Sequence, residues 1–192
     1  MTEEILARFR KWMSAAEEKE LNNPNAMSLA TANADGVPSV RIVLLKQYDE
    51  RGFVFYTNLS SRKGLEMAEN PAASLCFHWK STDSQIRIDG QVEKVSDEQA
   101  DAYFSSRPRT SRIGAWASKQ SQPMEGRFEF EGRIAKYTAK FGLGEVPRPD
   151  FWSGYRLVPN RLEFWHEYAF RLHDRDVFVF DGSEWRLEKL YP

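Results

Sequence analysis

Val40-Arg41-Ile42-Val43-Leu44-Leu45-Lys46 is the stretch on which the reading of this chain turns. Four consecutive aliphatic residues between two cations, with Asp35-Gly36 upstream and Asp49-Glu50-Arg51-Gly52 downstream, predict a strand between two turns. An uninterrupted apolar run of this kind is expected to be buried on both faces, in the middle of a sheet. Side chains alternate along a strand, so Arg41 and Lys46 are expected on opposite faces, roughly 16 Å apart at about 3.3 Å per residue. Two readings follow. Either the cations are the solvated ends of a core strand, their long stems carrying the charge to water, or one strand serves two separate anion sites.

Working outward, the sequence before this strand predicts a partner for it. Ala26 to Thr31 reads as a strand joined to it through Asp35-Gly36 in a hairpin. After it, Phe53-Val54-Phe55-Tyr56-Thr57 reads as a third strand, and the three are expected to form an antiparallel meander. At the N-terminus, Ile5, Phe9, Trp12, Met13 and Ala16 recur at helical spacing, with Thr2 as cap and Glu3-Glu4 in the first turn. An amphipathic helix within residues 1–21 is predicted, ended by Asn22-Asn23-Pro24.

Downstream, Ser60 and Ser61 offer N-caps to a helix that stops near Asn70-Pro71. Strands are expected over about 73–79 and 85–95, the second with Gln85, Arg87 and Asp89 on one face and Ile86, Ile88 and Gly90 on the other. Ser96-Asp97-Glu98-Gln99 has capping-box spacing and opens a helix that Pro108 ends. A short helix over 111–117 and an outer helix within 124–141 follow. Strands return over about 152–158, 161–165, 177–180 and 184–190, with Asp181-Gly182 as a hairpin turn. Strands outweigh helices, so the class is β-dominated α+β, and residues 1–192 are expected to form one domain.

Composition excludes several classes. The 192 residues are 41% hydrophobic and 14% aromatic with a net charge of -1. This is no disordered chain, and a globally basic nucleic-acid surface is not expected. No apolar run is long enough for a membrane helix, and the acidic start lacks the features of a secretory signal. The single cysteine, Cys76, permits no internal disulfide and fits a reducing cytoplasm. His78, His166 and His173 lack metal-ligand spacing with carboxylates, so no metal site is expected. Gly142-Leu143-Gly144 lacks the third glycine of a dinucleotide loop, and no serine sits in a nucleophile elbow.

What the sequence does contain is cations beside hydroxyls and aromatic rings. Arg62-Lys63 falls in the first turn of a helix, where the macrodipole disfavours cations. They are either a solvated pair or one side of an anion site built on the free N–H groups of the helix start. Tyr103 with Arg107, and Arg171-Leu172-His173-Asp174-Arg175, repeat the combination. Such groups suit phosphates and flat conjugated rings.

Eight short segments, in order from the first helix to the C-terminus, resemble the pyridoxine/pyridoxamine 5′-phosphate oxidase family: 41–46, Phe55-Tyr56-Thr57-Asn58, Ser61-Arg62-Lys63, Ser106-Arg107-Pro108-Arg109, Ile113-Gly114-Ala115-Trp116, Ser118-Lys119-Gln120-Ser121, Glu163-Phe164-Trp165 and 171–175. The resemblance implies a split β-barrel ringed by helices, with residues 151–192 completing the site, and a cytoplasmic homodimer holding FMN in two interface clefts. It implies FMN-binding roles for Arg41, Val43, Tyr56, Thr57, Arg62, Lys63, Gln85, Gln120, Ser121, Trp165 and Arg175. Substrate binding falls to Lys46, Tyr103, Arg107, Ser111, Arg171 and His173, with Arg171 and His173 bracketing the reacting ring as the catalytic pair. The implied reaction oxidises pyridoxine or pyridoxamine 5′-phosphate to pyridoxal 5′-phosphate, with O2 as acceptor and H2O2 as product. On this resemblance Arg41 and Lys46 serve two different phosphates. Two departures, Thr82-Asp83-Ser84 ahead of Gln85 and the absence of glycine between Trp165 and Arg171, leave room for a different substrate. The alternatives are a related FMN oxidase acting on another ring, as in the phenazine pathway, and a non-catalytic FMN- or pyridoxal-phosphate-binding protein.

Overall fold

The computed structural model describes residues Met1–Pro192. The elements in chain order are helix α1 (Glu3–Lys19), strands β1 (Ala26–Ala32), β2 (Pro38–Leu44), β3 (Gln47–Asp49) and β4 (Gly52–Asn58), helix α2 (Arg62–Glu69), and strands β5 (Ala72–Trp79) and β6 (Ser84–Lys94). Helices α3 (Asp97–Ser106), α4 (Arg109–Ala117) and α5 (Arg127–Phe141) follow, then strands β7 (Trp152–His166), β8 (Asp174–Phe180) and β9 (Trp185–Lys189). All nine strands belong to one antiparallel sheet in the order β2-β1-β5-β6-β7-β4-β3, with β8 on β7 and β9 on β8.

The sheet divides at β7. Residues 152–157 of this strand pair with β4, while residues 161–166 pair with β8. The two stretches predicted as separate strands are thus one continuous 15-residue strand. Pro159-Asn160 reads locally as a turn, but the irregularity is absorbed as a register shift opposite Asp89/Gly90. A Cβ on Gly90 would lie 2.1 Å from the Val158 carbonyl oxygen, so only glycine lets the two backbones approach there.

The hairpin β1–β2 forms as expected, but the meander does not continue. β2 ends one side of the sheet path and β4 lies near the other, paired with β3 and β7. The connecting residues close the curl: Leu45 N–H donates to the Asn25 carbonyl at 2.9 Å and Lys46 N–H to the Val54 carbonyl at 2.8 Å. β2 is therefore an edge strand, not a central one. Its expected two-sided burial is also corrected, since Val40 and Ile42 are 67% and 64% exposed in this chain. An apolar run reports burial somewhere, and a single chain does not contain the surface that would cover this one.

Helix α1 plugs the curled sheet. Thr2 caps it by accepting from the Ile5 N–H, and Ile5, Leu6, Phe9, Met13 and Ala16 are buried along one face. The Phe9 ring packs edge-on against Phe53 and Phe77, with centroids 4.9 and 5.7 Å away. A second, smaller core of Phe104, Ile113, Val146 and Trp152 fastens α3 and α4 to the start of β7. Helix α4 begins at Arg109, two residues before the predicted start. The predicted capping box at α3 forms only in part: the Ser96 hydroxyl accepts from Gln99 N–H, while the Gln99 amide donates to Gln47 at 2.6 Å. No helix is long and apolar enough to cross a membrane.

Candidate active site

A cleft of about 1000 Å³ opens between β2, β4, the N-terminus of α2, the α3–α4 corner and the 118–121 loop. Its first cationic cluster is built at the start of α2. The Ser61 hydroxyl caps the helix by accepting from Gly64 N–H. Lys63, only 8% exposed, donates from Nζ to Gln120 Oε1 at 3.0 Å and to the Thr57 and Ser61 hydroxyls at 3.2 Å. All three partners are neutral. Burial, with the neighbouring Arg41 charge adding to it, lowers the Lys63 pKa to about 8. Ser121, beside Gln120, has φ of +69°, a left-handed conformation that L-residues adopt at a cost and that recurs at ligand sites.

Arg41 and Arg62 reach the same cluster, joined by a residue that sequence reasoning missed. Glu66 lies one helical turn beyond Arg62 and is 5% exposed. Its Oε1 accepts from Arg62 Nε at 2.8 Å, and its Oε2 accepts from Thr31 at 2.5 Å, Ser39 at 2.6 Å and Arg41 Nη2 at 3.2 Å. Burial alone would raise this carboxyl; the Ser39 and Thr31 hydroxyls and the Arg62 and Arg41 guanidiniums outweigh it and hold the pKa at about 2. Arg41 also donates from Nη1 to the Leu29 carbonyl at 3.1 Å and to Thr31. The signal available beforehand was the i,i+4 spacing of Arg62 and Glu66.

A second cationic cluster lines the same cleft at the α3–α4 corner. Lys46, Tyr103, Arg107 and Ser111 all face it, and so does Arg41. The expectation that Arg41 and Lys46 point to opposite faces is thereby corrected: β2 ends at Leu44, so strand alternation no longer governs Lys46. Tyr103 stacks on Tyr56 at 3.9 Å and Tyr56 on Trp152 at 5.3 Å, with Arg107 over the Trp152 ring at 4.9 Å. Arg107 Nη1 and Tyr56 Oη are buried without a hydrogen-bond partner. Buried polar atoms in proteins are nearly always paired, so an unpaired guanidinium N–H on a residue that lines the cleft suits a ligand oxygen.

The other residues singled out in the sequence do not line this cleft. Gln85, Trp165 and Arg175 stand in one row across β6, β7 and β8. His173 packs against Trp165 with ring centroids 4.8 Å apart. Its Nδ1 accepts from Tyr168 N–H at 3.3 Å, so the neutral ring carries its proton on Nε2. Phe170 and Arg171 have φ of +57° and +61°. In a loop without glycine, two successive L-residues therefore occupy the left-handed region, at a cost of about 1–3 kcal/mol each. Beneath the row lies a second carboxylate, which the sequence showed only as part of a resembling segment and with no role assigned. Glu163, 2% exposed, accepts from Arg175 Nε at 2.8 Å and from Arg161 at 3.1 Å. One chain thus carries two separate sets of candidate groups.

Comparison with known proteins gives this arrangement its context. Residues 13–141 match the family model described as Pyridoxamine 5′-phosphate oxidase. The chain belongs to that family. Residues 152–192 match a second model, the Pyridoxine 5′-phosphate oxidase C-terminal dimerisation region. Relatives named pyridoxine/pyridoxamine 5′-phosphate oxidase include one from Chelativorans sp. (strain BNC1), 57% identical over 185 residues, covering 96% of this chain and 88% of the relative. Another, from Brucella anthropi, is 56% identical over 186 residues, covering 96% and 92%. Among solved structures, PhzG from Burkholderia lata 383, in complex with tetrahydrophenazine-1-carboxylic acid, is 33% identical with a TM-score of 0.92 over 97% of this chain and 92% of that one. A pyridoxamine 5′-phosphate oxidase-related, FMN binding protein from Nostoc punctiforme superposes with a TM-score of 0.75 at 18% identity, covering 96% and 97%, which shows the shared fold. The expected β-dominated split barrel with surrounding helices is the fold observed.

The cleft fits the family's flavin on the chemistry of its own donors. Lys63, Arg62 and the Thr57 hydroxyl form a cationic, hydrogen-bonding cluster at a helix N-terminus, the arrangement that suits a phosphomonoester.

Proposed function

We propose that this protein is an FMN-dependent oxidase that converts pyridoxine 5′-phosphate and pyridoxamine 5′-phosphate to pyridoxal 5′-phosphate, with O2 as acceptor and H2O2 as product. The observation that carries the reading is that one cleft holds two phosphate-type cationic clusters, one around Lys63 and one around Arg107. A cofactor phosphate accounts for one of them. The other calls for a phosphorylated substrate, and it separates this reading from the oxidation of an unphosphorylated ring such as the PhzG ligand. The buried, unpartnered Arg107 Nη1 supports the same choice.

In this proposal Arg62, Lys63, Thr57 and Ser121 hold the FMN phosphate, with Arg41 behind them. Val43, Tyr56, Gln85, Gln120, Trp165 and Arg175 complete the cofactor site. Lys46, Tyr103, Arg107 and Ser111 bind the substrate phosphate, and this remote binding energy orients the reacting carbon. When bound, the flavin supplies a two-electron acceptor that O2 reoxidises. Arg171 and His173 bracket the substrate ring, and the tautomer set by Tyr168 N–H leaves His173 Nε2 as a hydrogen-bond donor to it.

The proposal requires a homodimer. Within one chain Gln85, Trp165, Arg171, His173 and Arg175 lie outside the cleft, so a second copy must bring its own set to complete each site. The exposed Val40 and Ile42 and the match to a dimerisation region support this assembly. Residues 1–192 are taken as one FMN-binding domain acting in the cytoplasm, with Cys76 free. The deciding experiment is oxygen uptake by the flavin-loaded protein with each of the two B6 phosphates. Uptake with H2O2 and pyridoxal phosphate formed is the expected result; tight FMN binding without turnover of either would select a non-catalytic binding protein.

A further inference from the structure

We propose that Glu66 is a positioning residue for the cofactor-phosphate site, holding the Arg41 and Arg62 guanidiniums in place for a phosphomonoester dianion. The inference rests on the flavin reading above and adds to it a residue that need not touch any ligand. Its basis is the placement of one carboxylate under two guanidiniums that come from different elements. Arg62 comes from the first turn of α2 and Arg41 from the edge strand β2, and Glu66 binds both while Thr31 of β1 and Ser39 of β2 fix its second oxygen.

An i,i+4 pair that merely supported its helix would sit on the helix surface and involve one cation. Glu66 is instead 5% exposed and reaches across to two strands. A buried carboxylate beside an anion site also lowers the positive charge available there. Its presence has to be explained by something other than attraction, and ordering is the candidate. The Arg62 side chain is 60% exposed and, without Glu66, would have to be immobilised when the phosphate arrives. Long side chains lose rotamer freedom on binding, and an anchor already in place removes that loss.

The charge count agrees. Arg41, Arg62 and Lys63 contribute three positive charges and Glu66 one negative, while Lys63 is bonded only to neutral oxygens. Two positive charges remain, the complement of a doubly ionised phosphomonoester.

The test is titration of the full-length, flavin-stripped protein with FMN and with riboflavin, which lacks the phosphate, followed by flavin fluorescence. For Glu66→Gln the FMN dissociation constant should rise about tenfold, the size of one lost charge-assisted contact, while riboflavin binding stays within about twofold of wild type. Glu66→Asp, too short to reach both guanidiniums, should fall between the two. Unchanged or tighter FMN binding by Glu66→Gln would overturn the inference, because charge and not orientation would then govern the site. An equal loss for both flavins would also overturn it, by making Glu66 a general support of the fold. If Glu66→Gln does not fold, Ser39→Ala decides: it keeps every charge and should weaken FMN alone by about threefold, the scale of one neutral hydrogen bond. No FMN-selective loss in that variant overturns the inference. Failure of the wild type to bind FMN would remove the flavin reading itself, an outcome distinct from the others.

Discussion

Lys63 shows how much a single buried cation can report. Its folded-state pKa of about 8 lies below the ordinary 10.5, so folding favours the neutral amine and the unfolded chain holds more protons between those values. The burial penalty is present in full below about 8 and fades as pH rises towards 10.5. A bound phosphate reverses the preference by pairing with the charged form. FMN affinity should therefore be flat with pH between the second ionisation of the phosphate, about 6, and about 8, and weaken above it by up to about tenfold per pH unit. Fluorescence titrations across that range check this, and Lys63→Met should show weaker binding without the alkaline limb. The charged groups that act on the same ammonium are Arg41, which lowers its pKa, and Glu66, which raises it. At the other cluster, Arg107→Ala should cost about 1.5–3 kcal/mol of substrate binding and raise KM by one to two orders of magnitude while FMN stays bound. Arg62→Ala should instead release FMN, and saturating FMN should restore much of the activity. The reverse pattern would mean that the two clusters have exchanged roles.

Helix α2 is the element on which the proposed cofactor site depends, and its placement rests on Gly64. A Cβ there would sit 2.3 Å from the Leu59 carbonyl oxygen and 2.8 Å from that of Asn58, both backbone atoms that cannot swing away. Gly64→Ala should push the helix start off β4, destabilise the protein by about 1–3 kcal/mol and release flavin. Denaturant unfolding and flavin retention measure the two effects, and a variant of wild-type stability that keeps its flavin would show that the helix is not pinned there. The start of this helix was legible in the sequence, because Ser61 is a strong cap and Asn70-Pro71 a clear stop. The continuity of β7 was not. Pro159-Asn160 has the local chemistry of a turn, and only the bulge opposite Gly90 lets the strand run through it.

At the scale of the whole molecule, the proposed assembly draws on the exposed face of β2. Val40 and Ile42 stand exposed on an edge strand that lines the cleft along with Ser39, Arg41 and Val43. Ile42→Asp should leave the fold of the single chain intact, since the side chain is 64% exposed, but abolish dimerisation. If the second residue set comes from a partner copy, as proposed, flavin should be lost with the dimer. Sedimentation with absorbance at the flavin band tests both outcomes together, and a flavin-bearing monomer would contradict the shared-site arrangement.

The amino-acid sequence by itself determined the elements and most of the chemistry. Apolar periodicity, Asp-Gly and Gly-bearing turns, serine caps and cations beside hydroxyls are local signals, read within a few residues of one another. The tertiary structure alone decided which strands are neighbours, because β2 and β4 are separated in the chain only by the short β3 yet lie near opposite ends of the sheet path. It also decided that Lys46 shares the Arg41 cleft, that the Arg171–Arg175 set stands apart from it, and that Glu66 and Glu163 lie beneath the guanidiniums. The physical reason is common to all three. A strand's face and a carboxylate's partners are set by what packs against them from distant parts of the chain, and no spacing along the sequence encodes that distance.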